Sequence, residues 1–115
     1  MSLRILIAED EGAIRRVWET IFTRLGHSPK GVSDGVEALK ALEEEPFDVL
    51  VTDLSLVGMT GLELARRVET RYPGMKTILI SGSSPERLSE EGEEIEVLTK
   101  PFTIEQLEAA ISKLK

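Results

Sequence analysis

Short aliphatic runs alternate with longer stretches of helical period along this chain. The runs occupy residues 3–8, 49–52, 76–81 and 95–99. Three of them are nearly continuous in Ile, Leu and Val, as parallel strands covered on both faces require. Between them, Ile14, Val17, Trp18, Ile21, Phe22 and Leu25 follow i, i+3, i+4 spacing and predict one amphipathic helix. Leu62, Ala65, Val68 and Tyr72 predict a second, and Ile104, Leu107, Ile111 and Leu114 a third. A weaker stripe runs through Val36, Leu39 and Leu42. Three helix starts, Asp34–Glu37, Thr60–Glu63 and Thr103–Gln106, carry a short oxygen-bearing side chain followed three residues later by Glu or Gln. In that pattern each side chain satisfies a free backbone N–H of the other. Ser84-Pro85-Glu86 offers a fourth start. A fifth strand is expected at residues 27–33, where Pro29 and Gly31 suit an edge position.

This order, βαβαβαβαβα, predicts an α/β fold: a doubly wound parallel sheet with helices on both faces. The 115 residues form one domain, 41% hydrophobic, with room for a single core. Only 13 residues (82–94) separate Ser81 from Ile95, so the fourth crossover holds a short helix at most.

Charge and composition narrow the function. The net charge of −7 repels phosphate backbones and argues against nucleic-acid binding. The absence of cysteine excludes thiol catalysis and thiolate metal sites. His27 is the only histidine and reads as an exposed loop residue. The first apolar run is too short for a signal peptide or a membrane span, so a cytoplasmic protein without membrane contact is expected.

In a parallel α/β sheet, ligands gather at the carboxyl ends of the strands. There this sequence places Glu9, Asp10 and Glu11 after the first run, Asp53 after the third, Ser81 at the end of the fourth and Lys100 after the fifth. Converging carboxylates raise one another's pKa, and a divalent cation removes that cost. Mg2+ suits an all-oxygen set that leaves room for water and phosphate. Lys100 and Ser81 can then meet phosphoryl oxygens, with Asp53 as the nucleophile.

Taken in order, Glu9-Asp10, Asp53-Leu54…Gly58-Met59-Thr60-Gly61, Ser81-Gly82 and Lys100-Pro101-Phe102 resemble the receiver domain of two-component response regulators. The resemblance covers nearly the whole chain and implies a receiver domain over residues 1–115, with a flavodoxin-like (βα)5 sheet in the order 2-1-3-4-5. It implies a phosphoacceptor signalling module that takes a phosphoryl group onto Asp53 from a histidine kinase or histidine phosphotransfer protein. That group would switch binding of a downstream protein or be relayed onward. It assigns Mg2+ to Asp10, Asp53 and the backbone carbonyl of Ser55, with Glu9 acting through water. It assigns phosphoryl oxygens to Ser81, Gly82 and Lys100, and implies a cis peptide before Pro101.

Two departures stand out. Val57 replaces a frequent Pro, and Val97 occupies a position that is usually aromatic in the family. With Val97 and a short fourth crossover, ordering of segment 83–94 is the expected response to phosphorylation, rather than an aromatic swing. The Ser81–Ser84 turn and the Leu98–Phe102 ending are similar to receivers attached to hybrid histidine kinases. The alternatives are a degenerate receiver that only binds partners and a small Mg2+-dependent phosphohydrolase. Against the phosphohydrolase, Ser55 stands two residues after Asp53, where such enzymes carry a second Asp as general acid. A flavin site would be repelled by Glu9-Asp10-Glu11, and no Gly-x-x-x-x-Gly-Lys phosphate loop is present.

Overall fold

A computed structural model describes residues 2–81, 95–99 and 102–113. Five parallel strands, β1 (Arg4–Ala8), β2 (Ser28–Val32), β3 (Val49–Asp53), β4 (Lys76–Ser81) and β5 (Ile95–Thr99), form one sheet in the order β2-β1-β3-β4-β5. The described helices are α1 (Gly12–Arg24), α2 (Gly35–Glu44), α3 (Gly61–Arg71) and α4 (Ile104–Lys113). Each expected strand is present. The expected helix start at Ser84, Gly82, the whole crossover 82–94, Lys100 and the bond before Pro101 lie outside the described residues.

Two cores follow from strand alternation. Ile5, Ile7, Val49, Val51, Ile78 and Ile80 point to one face, where they meet Trp18 and Phe22 of α1 and Leu107, Ala110 and Ile111 of α4. Leu6, Ala8, Val32 and Leu50 point to the other, against Ala38, Ala41 and Leu42 of α2 and Leu64 and Val68 of α3. The central strands are buried on both sides, which is why they read as unbroken aliphatic runs. β2 pairs only with β1 among the described residues, and Pro29 sits in it without interrupting a central ladder.

All three expected capping pairs form, one of them in altered shape. Thr60 and Glu63 bond reciprocally ahead of α3. So do Thr103 and Gln106 ahead of α4, at 3.1 and 2.8 Å. At α2 the Asp34 carboxylate accepts from the Glu37 N–H at 2.8 Å, but the Glu37 carboxylate turns to the N–H and hydroxyl of Ser33.

The helical stripes need correcting at three valines and isoleucines. Val36 is 69% exposed, Val17 55% and Ile104 49%; Ala38, Ala41, Leu64 and Ala110 hold buried places instead. Val36 and Ile104 lie in the first turns of their helices. His27 is half-buried rather than exposed, and its Nδ1 accepts from the Leu3 N–H at 3.1 Å.

This packing predicts opposite sensitivities on α2. Val36→Ser should change stability by no more than about 0.5 kcal/mol. Ala38→Leu, forced into a filled interface, should cost about 1–3 kcal/mol. Urea denaturation of the two variants measures both.

Candidate phosphoacceptor site

The site forms where β1, β3 and β4 end together. Ala8 is level with Thr52, so Glu9 and Asp53 are the next residues along two adjacent strands. Asp53 is level with Ile80, and Ser81 is one residue further on β4. Parallel strands in register therefore carry two acids and a hydroxyl to the same edge. Glu9 is 1% and Asp53 8% exposed, and Ser81 is buried. Asp10, by contrast, is exposed, and so is Ser55.

Each acid is fixed by short local bonds. The Glu9 N–H donates to the Val32 carbonyl at 3.1 Å. Glu9 Oε2 accepts from the Glu11 N–H at 2.9 Å. Asp53 Oδ1 accepts from the Ser55 N–H at 2.9 Å, so the chain doubles back over the carboxylate immediately after β3. That turn brings the Ser55 main chain beside Asp53.

The Asp53 backbone is gripped more tightly than the sequence pattern indicates. The Thr52 hydroxyl donates to the Asp53 carbonyl at 2.9 Å. The Leu54 N–H donates to the Ile80 carbonyl at 2.9 Å, and the Gly61 N–H to the Leu54 carbonyl at 2.7 Å. A Cβ on Gly61 would overlap the Asp53 carbonyl oxygen and sit 2.9 Å from its carbonyl carbon. Gly61 thus lets the start of α3 rest directly on the strand end. In the sequence it shows as a glycine just after the Thr60 cap, at the end of the Gly58-Met59-Thr60-Gly61 stretch.

The electrostatics are those of crowded acids. Glu9 is pushed up from 4.5 to about 7, first by burial and then by the neighbouring carboxyls of Asp53 and Asp10; the Glu11 N–H opposes this. Glu9 Oε1 is buried with no hydrogen-bond partner among the described residues.

Residues 5–112 match the family model of the response regulator receiver domain. The chain belongs to that family. A receiver protein of Brucella abortus, CpdR, is 34% identical over 114 residues, covering 96% of this chain and 95% of its own. The crystal structure of a response regulator receiver protein from Sinorhizobium medicae has a TM-score of 0.88 at 31% identity, covering 98% of this chain and 94% of that one. The response regulator TrrA of Thermotoga maritima, crystallised in complex with Mg2+ and BeF, has a TM-score of 0.88 at 28% identity, with full coverage of both chains. Receiver domains of this family are signalling modules of two-component systems.

The residues of this receiver fit a hard divalent cation. Among the described residues, the side chains at the edge, Glu9, Asp10, Asp53 and Ser81, all offer oxygen, and the buried Glu9 Oε1 has no hydrogen-bond partner there. Among the described residues, no three or more His, Cys, Asp and Glu side chains are arranged to hold a metal by themselves. A cation here would have to draw on few carboxylates together with main-chain oxygen and water, a pattern that Mg2+ accepts.

Two predictions follow from this geometry. Gly61→Ala would add helix propensity worth about 1 kcal/mol, yet the crowding at Asp53 should outweigh it and destabilise the fold by about 2 kcal/mol net; urea midpoints decide the sign. The second concerns pH. Because native Glu9 holds its proton more strongly than an unfolded Glu, its ionisation opposes folding increasingly between pH 4.5 and about 7. In metal-free buffer, Glu9→Gln should be more stable than the wild type near pH ~8, with the gap closing toward pH ~4.

Proposed function

We propose that residues 1–115 act as one cytoplasmic receiver module that accepts a phosphoryl group on Asp53 and changes partner binding, or passes the group on. The observation that carries this reading is the buried Asp53 carboxylate at the end of the central strand, with Glu9 beside it and Ser81 at the end of the adjoining strand. A nearly buried carboxylate whose backbone is held on three sides is a poor surface charge but a well-aimed nucleophile.

In the proposed step an Asp53 oxygen attacks phosphorus on a phosphohistidine of a histidine kinase or phosphotransfer protein. The O–P bond forms, the N–P bond breaks, and the imidazole leaves with the electron pair and takes up a proton. The Ser81 hydroxyl and the Lys100 ammonium, next in sequence after β5, are the assigned partners of the phosphoryl oxygens, with Gly82, next in sequence after Ser81, assigned to the same group. Asp10, Asp53 and the Ser55 carbonyl would hold Mg2+, with Glu9 acting through water. When bound, Mg2+ neutralises the carboxylates and the transferred group's oxygens. TrrA, crystallised with Mg2+ and BeF, supports this assignment by its similarity. No helix among the described residues is long and apolar enough to cross a membrane.

Incubation with acetyl phosphate and Mg2+ tests the reading. Mass spectrometry should find one added phosphoryl group that hydroxylamine removes and that Asp53→Asn abolishes. Absence of an adduct on the wild-type protein would mean a module that only binds partners; catalytic turnover of simple phosphate esters would mean a phosphohydrolase.

A further inference from the structure

The main chain of Glu9 is held from two directions. Its N–H is tied to β2 through the Val32 carbonyl, and its own carbonyl accepts from Nη1 of Arg15, on α1, at 2.7 Å. Arg15 reaches that carbonyl by laying its stem across β2. A Cβ on Gly31 would come within 2.6 Å of Glu19 Oε2, one turn further along α1, 2.8 Å of Arg15 Cγ and 2.9 Å of Arg15 Cδ. Gly31 therefore keeps a lane open for the Arg15 stem and for the tip of the Glu19 side chain beside it. Beyond Glu9 the chain turns, and the Glu11 N–H meets the Glu9 carboxylate. The guanidinium thus anchors the base of the turn that carries Glu9, Asp10 and Glu11.

We propose that Arg15 is a positioning residue for the acidic turn, holding Glu9 and Asp10 where they can share a divalent cation, and that Gly31 is its clearance. The proposal rests on the phosphoacceptor reading of the same site. Charge and position predict opposite signs here, which makes the idea decidable. A guanidinium in contact with the turn repels a cation, so an Arg15 that acted only through its charge would weaken Mg2+ binding, and its removal would strengthen it. A positioning Arg15 makes its removal weaken Mg2+ binding, as loss of a group that orients metal ligands does.

Calorimetric titration of the full chain with MgCl2 separates the two. Arg15→Ala should weaken Mg2+ binding about tenfold. Gly31→Ala should weaken it in the same direction by displacing the stem. In the Arg15→Ala background, Gly31→Ala should add less than it does alone, because the stem is gone and only the tip of the Glu19 side chain, which can swing aside, still meets the new methyl. Arg15→Gln, which keeps an N–H donor without the charge, should recover part of the loss. In metal-free protein, the Glu11 amide should exchange with deuterium faster in Arg15→Ala than in the wild type. Should Arg15→Ala fail to fold, Arg15→Gln and Gly31→Ala carry the comparison. Unchanged or tighter Mg2+ binding in the variants, or fully additive effects of Arg15→Ala and Gly31→Ala, overturns the proposal. A wild-type protein that takes up no Mg2+ overturns the cation reading itself, which is a different result from a wild type and variant that bind it equally well.

Discussion

Two carboxylates brought together out of water are the condition this receiver is built around. Left alone, Glu9 and Asp53 repel each other and lose hydration, and Glu9 responds by holding its proton to about neutral pH. A fold tolerates such a cost only when its surroundings fix the groups in place. Here that fixing comes from the sheet. β1 and β3 are adjacent, parallel and in register, and their side chains fill cores on both faces. The acids cannot separate without pulling apart the most deeply buried strands in the molecule.

Around that pair the local bonds have a common character. They fasten main chain as well as carboxylate: Val32 and Arg15 hold the backbone of Glu9 and the Glu11 N–H its Oε2, while Thr52 and Gly61 confine the backbone of Asp53. Asp53 Oδ1 has the Ser55 N–H, yet Glu9 Oε1 finds no partner among the described residues. Rigid support under a buried carboxyl group with one unpartnered oxygen is the arrangement expected of a site prepared for an ion and an anionic group to arrive together.

Much of this was legible in the sequence, for physical reasons that also mark its limit. The strands announce themselves because a sheet covered on both sides demands Ile, Leu and Val at every position. The acids could be placed because parallel strands share one carboxyl edge. Helix faces were read less well. A stripe of bulky residues nominated Val36 and Ile104, but first-turn positions lie toward the helix ends, and the close approach of α2 to the sheet is made by Ala38 and Ala41. The clearance at Gly61 and the reach of Arg15 escaped for a different reason. Each acts through an approach between segments distant in the chain, and neither composition nor periodicity encodes such a distance. Lys100 and Gly82 remain assigned by their order in the sequence.

The outer strand β2 has a consequence for how this molecule meets others. Its Pro29 lacks a donor, Gly31 lies beneath the Arg15 stem, and Lys30 extends a charge toward Glu45. Such a rim is a poor template for cross-strand annealing, so it guards a small, aliphatic-rich protein against fibril-like stacking.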